Sequence, residues 1–219
     1  MHDSHGTACY GGIAMNDGVV SASAGELIAV PEATGIDILF LHCAGPQGNG
    51  EGSNFLTQYL RAHFEPHCKV LIPPLPDPEA PHYKPWKKTL ERLLRERGDR
   101  QVYIVAHSMG ASVALKYLSE KPPMKAIAGL FLIGTVYWGL ENWKVREFSF
   151  ERNFQRHLGY IPNIFFYHSK DDAVVPVSHM WHFAEALPNA GIREFEHEGH
   201  LYEKGIPQLV ADIKSATRG

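Results

Sequence analysis

Short apolar runs alternate with longer amphipathic segments along the chain from Gly25 onward. The apolar runs predict strands at 36–41, 69–72, 102–107, 126–133, 164–167 and 192–196. The amphipathic segments predict helices at 53–64, 86–97, 111–118, 177–187 and 207–216, with Ser53 as the cap of the first. This alternation is typical of a mainly parallel sheet with helices on both faces, so we expect an α/β fold.

Three stretches depart from the alternation. Residues 73–85 are proline-rich and predict an extended loop, because proline lacks an amide donor and has a fixed φ. Residues 1–25 lack any period and predict a flexible extension, which leaves 26–219 as one domain. Residues 134–163 are aromatic and irregular, and they predict a minimal lid-like insertion above the carboxyl ends of the strands. Its Tyr137, Trp138 and Trp143 are candidate substrate-binding residues, although such aromatic residues could equally form ordinary core.

The strand at 102–107 ends on a serine, Ser108, that has small residues two positions before and two after it. Ala106 and Gly110 fill those positions, where most such motifs have glycine at both. A serine in a tight strand-to-helix turn between small residues is a nucleophile elbow. We therefore expect Ser108 to be a catalytic nucleophile.

A serine hydroxyl needs a histidine to take its proton and a carboxylate to orient that histidine. Asp172 follows the predicted strand at 164–167, and His200 follows the last strand in a glycine turn. We assign Asp172 as the acid and His200 as the base, with Asp171 as the rival acid or a simple turn cap. The chain order Ser, Asp, His is that of the hydrolases in which this elbow occurs.

An acyl-transfer site also needs amide donors for the oxyanion. Met109, directly after the nucleophile, supplies one. The glycine-rich loop after the first strand supplies the other, from Ala44 with Cys43 in reserve. Cys43 is not at the elbow, so we interpret it as a packing residue and not as a nucleophile.

The composition of the chain argues against several other classes of function. The 219 residues carry 24 acidic and 21 basic side chains without a basic patch, so we expect no nucleic-acid partner. Three cysteines at 9, 43 and 68 favour a reducing, cytoplasmic location. We find neither a secretory signal nor a run long enough for a membrane span. Of 13 histidines, His179 and His182 share a spacing found in metal sites, but no His-Glu-X-X-His run occurs. We therefore interpret both as helix-surface residues and expect no metal or other cofactor.

The elbow, the Lys-Asp-Asp-Ala-Val-Val-Pro stretch at 170–176 and the late Gly-His pair resemble the α/β-hydrolase superfamily. The small size, the proline-rich loop before a Trp-containing helix and the short interval from acid to histidine are similar to serine hydrolases of the retinoblastoma-binding protein 9 type. The resemblance covers 36–219. It implies an esterase-like or peptidase-like hydrolase without a cofactor.

We therefore predict a serine hydrolase that cleaves a carboxylic ester of a small-molecule acyl substrate through an acyl-enzyme. An amide or thioester hydrolase with the same triad is one alternative, because the triad is common to all three chemistries. A binding protein with a vestigial triad is the other. The sequence leaves the oligomeric state open.

Overall fold

The computed structural model describes residues 36–120, 122, 127–140 and 142–217. Its strands are β1 (Asp37–Leu41), β2 (Lys69–Leu71), β3 (Val102–His107), β4 (Ile127–Ile133), β5 (Ile164–Ser169) and β6 (Gly191–Phe195). Its helices are α1 (Asn54–Phe64), α2 (Tyr83–Arg97), α3 (Met109–Glu120), α4 (Gln155–Leu158), α5 (Ser178–Ala186) and α6 (Pro207–Ala216). The predicted extension at 1–25 lies outside the described residues.

The six strands form one sheet in the order β2-β1-β3-β4-β5-β6, and every neighbouring pair is parallel. The prediction of a parallel sheet covered by helices is confirmed. Because all strands run the same way, the loops after β1, β3, β5 and β6 leave from one edge of the sheet. Every predicted site residue of those loops is therefore carried to the same edge.

The strands alternate side chains between two apolar layers. In β1, Leu39 and Leu41 face the layer that contains α2, α3 and α5, whereas Ile38 and Phe40 face the layer that contains α1 and α6. Central strands buried on both faces need near-continuous apolar sequence. Strands β1 and β3 are buried along their whole length, and this explains why their sequences are almost entirely apolar.

Helix α2 begins at Tyr83, three residues earlier than the sequence pattern predicts, and it contains Pro85 in its first turn. A proline is tolerated there because the first amides of a helix have no carbonyl partner within it. The Tyr83 N–H donates instead to the Glu147 carboxylate at 3.0 Å. The prediction of a loop over 73–85 is therefore wrong for its last three residues, which form the start of α2. The contact of Glu147 with the Tyr83 amide stabilises that start.

Ser53 precedes α1, but its side chain makes no capping hydrogen bond. The predicted N-cap position of Ser53 is therefore confirmed, and only the capping contact from its side chain is absent. Its hydroxyl is fully buried and contacts Cys43 and His107 instead.

The aromatic segment at 134–163 packs into the layer formed by α2, α3 and α5. Trp138 lies with ring centroids 5.1 Å from Phe148 and 5.7 Å from Trp143. Tyr137 packs against Phe183 of α5 at 4.9 Å. The segment also contains α4, which the sequence pattern did not predict. Most of its aromatic residues belong to the core or pack against it, whereas Tyr160 is exposed. Burying large rings against α3 and α5 is strongly favourable.

Candidate active site

Ser108 occupies a strained turn between β3 and α3. Its φ of +52° is uncommon for a residue with a side chain. The Ser108 N–H donates to the Ile133 carbonyl at 2.8 Å, and the Ser112 N–H donates to the Ser108 carbonyl at 3.0 Å. Strain held in place by such contacts is typical of catalytic residues.

Gly110 explains why the position two residues after the serine must be small. A Cβ there would lie 2.4 Å from the Leu41 carbonyl oxygen and 2.6 Å from that of His42. Both atoms belong to the backbone, so no side chain can rotate away. Only glycine lets α3 pass the end of β1 so closely.

Asp172 and His200 are directly hydrogen-bonded. The His200 Nδ1 lies 2.7 Å from Asp172 Oδ2, and the carboxylate accepts, so Nδ1 carries the proton. The other oxygen, Oδ1, accepts the N–H groups of Val174 and Val175, each at 2.8 Å. The carboxylate is therefore fixed, and Nε2 of His200 is left as the ring atom that can take a proton.

The Asp172 side chain is buried, which by itself would raise its pKa. The hydrogen bond and charge of His200, with the two amides, outweigh burial and hold the pKa below its usual range. His168 lies on the other side, with Nε2 2.8 Å from the Val175 carbonyl and 3.5 Å from Asp172 Oδ2. Burial lowers the pKa of His168, which favours the neutral ring.

Asp171 has a different surrounding from its neighbour. It is exposed, and its Oδ1 accepts the Gly199 N–H at 2.9 Å and the Ser169 hydroxyl. Those two hydrogen bonds lower the pKa of Asp171. The structure thus gives Asp171 the place of a turn cap in the loop that leads to His200.

Ser108 and His200 line one cavity of about 460 Å³. The other described residues that line it are Cys43, Ala44, Pro46, Gly50, Glu51, Gly52, Val174 and Leu201. The volume lies within the usual range for small-molecule sites. A small substrate can therefore reach the serine and the histidine together.

The loop at residues 42–53, the candidate oxyanion loop, forms one wall of this cavity. The Cys43 N–H donates to Ser53 Oγ at 2.9 Å, which occupies the reserve donor and leaves the Ala44 N–H as the candidate. Met109 begins α3, where the first amides have no carbonyl partner inside the helix. Gln47 braces the loop by donating to the Cys43 and Gly45 carbonyls and accepting the Ser53 N–H.

The candidate substrate residues Tyr137, Trp138 and Trp143 are not among the described residues that line the cavity. They pack with other aromatic side chains of the core instead, so the structure does not bring them to Ser108. In the described part of the 134–163 segment, Gly134 lies close to His200 and Asp172. A Cβ on Gly134 would lie 3.1 Å from the His200 ring and 3.6 Å from Asp172 Oδ2.

Sequence reasoning missed Ser53, Gln47, Gly134 and the buried contacts of His107. The position of His107 beside the nucleophile was a visible signal, but its partners come from distant parts of the chain. His179, interpreted as a helix-surface residue, is buried, and its Nδ1 accepts the Tyr137 N–H at 3.0 Å.

Two general findings complete the description of the site. In the described part of the chain, no cluster of three or more His, Cys, Asp or Glu residues is arranged to hold a metal ion. None of the helices in the described ranges is both long and apolar enough to cross a membrane.

A family model described as serine hydrolase matches residues 59–207, more than half of the chain. The chain belongs to the serine hydrolase family. The matched stretch of this serine hydrolase contains Ser108, Asp172 and His200. The sequence is also 27% identical to YdeN of Bacillus subtilis, which is named as a hydrolase, over 131 residues, covering 59% of this chain and 68% of YdeN.

Solved structures show the same fold. The B. subtilis YdeN structure matches this serine hydrolase with a TM-score of 0.65 at 21% identity, covering 84% of this chain and 98% of YdeN. A lidless α/β serine hydrolase of Xanthomonas campestris matches with a TM-score of 0.56 at 14% identity, covering 84% and 81% of the two chains. A structure from a study of carboxylesterases of Nitrososphaera gargenis matches at 0.60 and 14%, covering 81% and 88%. The expected α/β-hydrolase fold is confirmed.

Proposed function

We propose that this serine hydrolase cleaves a carboxylic ester of a small molecule through an acyl-enzyme, with Ser108, His200 and Asp172 as the triad. The observation that carries the proposal is the shared cavity. It is lined by a strained serine and by a histidine whose Nδ1–H is fixed by a buried carboxylate at 2.7 Å. These are the groups that activate a serine hydroxyl.

In the proposed reaction, His200 Nε2 accepts the Ser108 hydroxyl proton while Oγ attacks the ester carbonyl. The N–H groups of Met109 and Ala44 stabilise the oxyanion, and Asp172 stabilises the imidazolium. His200 then gives its proton to the departing alkoxide, which leaves as an alcohol. Water attacks the acyl-enzyme by the same route and releases the acid and the free serine.

An ester is the proposed substrate because the alkoxide that it expels is a far weaker base than the nitrogen anion that an amide would expel before protonation, so an ester asks less of the general acid. Among the described residues that line the cavity, Glu51 is the one acidic side chain, and none is Lys or Arg. A carboxylate at the rim disfavours substrates with an anionic acyl group. Neutral or cationic esters are therefore the proposed class.

Three broader proposals accompany this one. The closer similarity to the retinoblastoma-binding protein 9 type is supported by the proline-rich loop that leads to α2, which contains Trp86, and by the short interval from Asp172 to His200. Residues 26–219 are proposed as one catalytic domain. Cytoplasmic residence is supported by Cys43 and Cys68, which are both free thiols.

The test is labelling of the protein with a fluorophosphonate probe, followed by location of the modified residue by mass spectrometry. Ser108→Ala should abolish labelling and lower kcat about 10⁴-fold or more while the fold is kept. Ser119→Ala is the matched control, since it removes a hydroxyl from the other end of α3. A panel of ester, thioester and amide versions of one acyl group then ranks the three chemistries.

Activity retained by Ser108→Ala would remove the serine from the mechanism. A folded wild-type protein that the probe does not label would instead favour the binding protein with a vestigial triad. Faster cleavage of the amide or thioester than of the ester would transfer the proposal to that substrate class.

A further inference from the structure

A buried chain of hydrogen bonds joins the oxyanion loop to the loop that carries His200. The Cys43 N–H donates to Ser53 Oγ at 2.9 Å, and Ser53 Oγ lies 2.9 Å from His107 Nδ1. His107 Nε2 lies 2.9 Å from the backbone carbonyl oxygen of His200. The Ser53 and His107 side chains are both fully buried.

The direction of each hydrogen bond follows from the groups present. A carbonyl oxygen can only accept, so His107 Nε2 carries the ring proton. Burial and the nearby His200 ring lower the pKa of His107 to about 3, so the ring is neutral and Nδ1 accepts. The Ser53 hydroxyl therefore donates to Nδ1 while its oxygen accepts the Cys43 amide. The direction of all three hydrogen bonds is thereby fixed.

This chain connects the three parts of the proposed machinery. Cys43 directly precedes Ala44, the proposed oxyanion donor, and His107 directly precedes Ser108. The third end is the main chain of His200, whose ring lies 4.9 Å from that of His107. The connected segments are 10, 54 and 93 residues apart in sequence, so no local structure could hold them in register.

We propose that Ser53 and His107 are positioning residues that hold the oxyanion loop and His200 in register with Ser108. The proposal rests on the proposed function. Neither side chain reacts in it. The pair acts by fixing the Cys43 amide and the His200 backbone, and a small misplacement of such groups lowers the rate of the chemical step more than it weakens binding.

Ser53→Ala is the sharpest variant because it removes a single oxygen and leaves the Cys43 amide without its acceptor. We expect kcat to fall about tenfold to hundredfold, less than for outright loss of an oxyanion donor, with KM within about twofold. Thr57→Val is the matched control. It removes a buried hydroxyl from the first turn of α1, close to Ser53 in sequence, and this hydroxyl donates to the Asn54 carbonyl of the same helix.

Two substitutions of His107 separate the ends of the chain. In His107→Gln the amide nitrogen can still donate to the His200 carbonyl, whereas in His107→Asn the shorter side chain can still reach Ser53. Each keeps one link and breaks the other, so both should lose kcat if the whole chain is needed. Should either fail to fold, Ser53→Ala still carries the test.

All rates are divided by the concentration of sites that the fluorophosphonate probe titrates, and thermal unfolding is recorded for each variant. A Ser53→Ala variant with the kcat of Thr57→Val would overturn the positioning role. So would a loss of total activity that vanishes once rates are expressed per titrated site, because the chain would then serve stability alone. Absence of labelling in the wild-type protein overturns the proposed function and this inference together, whereas labelling with unchanged Ser53→Ala kinetics overturns this inference alone.

Discussion

Two adjacent carboxylates, Asp171 and Asp172, differ in their surroundings, and this difference is why we propose different roles for them. Asp172 is buried and held by His200 and two amides, whereas Asp171 is exposed and holds the Gly199 amide. In the sequence the two residues are equivalent in type and nearly so in position. Only the hydrogen-bond partners separate a proposed catalytic acid from a turn cap.

Asp172→Asn should lower kcat about 10⁴-fold, because the amide cannot stabilise the imidazolium and can favour the wrong ring tautomer. Asp171→Asn should lower kcat less than tenfold, since the new side-chain oxygen can still accept the Gly199 amide. Steady-state rates on one ester, divided by the titrated site concentration, measure both effects. The opposite ranking would give the acid role to Asp171.

At the scale of elements, the site depends on how closely α3 passes the end of β1. The sequence pattern predicted both elements and the need for a small residue at Gly110. It did not show which groups lie opposite. The structure identifies them as the Leu41 and His42 carbonyl oxygens.

Gly110→Ala should lower the free energy of unfolding by about 1–3 kcal/mol, as overpacked sites do. The gain of about 1 kcal/mol in helix propensity is too small to offset the clash. Urea denaturation measures the change. Gly159→Ala is the matched control, because its φ is −60° and a Cβ there meets nothing within 4 Å. Equal stability of the two variants would contradict the close approach.

Helix α2 and the 134–163 segment show where element prediction fails. Helix α2 begins three residues before its predicted start, because its first turn tolerates Pro85 and because Glu147 accepts the Tyr83 N–H. An irregular aromatic stretch has no period from which to choose between lid and core. The aromatic residues pack into the core because apolar side chains of α3 and α5 lie next to the segment.

At the scale of the whole molecule, several histidines are folded into the interior in the neutral form. Burial lowers the pKa of His107 to about 3 and that of His179 to about 4, and it also lowers the pKa values of His42 and His168. In the unfolded chain these rings regain ordinary pKa values near 6.5. Below about pH 6.5 the unfolded state therefore binds more protons than the folded state.

The free energy of unfolding should accordingly fall as the pH drops from about 6.5 towards 4.5. The slope is at most about 1.4 kcal/mol per pH unit for each buried histidine. The Asp172 contribution is lost only near and below pH 4, outside this window. Urea denaturation between pH 4.5 and 7.5 measures the slope. It should be shallower in His179→Gln and unchanged in His67→Gln, which replaces an exposed histidine. A stability that stays constant over this range would contradict the neutral interior.

The sequence by itself determined the parallel α/β architecture and the elbow, because apolar periodicity and small residues around Ser108 are local signals. It also brought the loops with Asp172 and His200 to one sheet edge, since parallel strands end on the same side. The tertiary structure decided between the assigned Asp172 and its rival Asp171 as the partner of His200, and it paired the amide of Cys43, the reserve donor, with Ser53. It also decided that Tyr137, Trp138 and Trp143 belong to the core. These outcomes depend on hydrogen bonds and packing between segments far apart in the chain, such as Ser53 with His107. A local sequence pattern cannot predict such a partner, because the two side chains meet only when the helices pack onto the sheet.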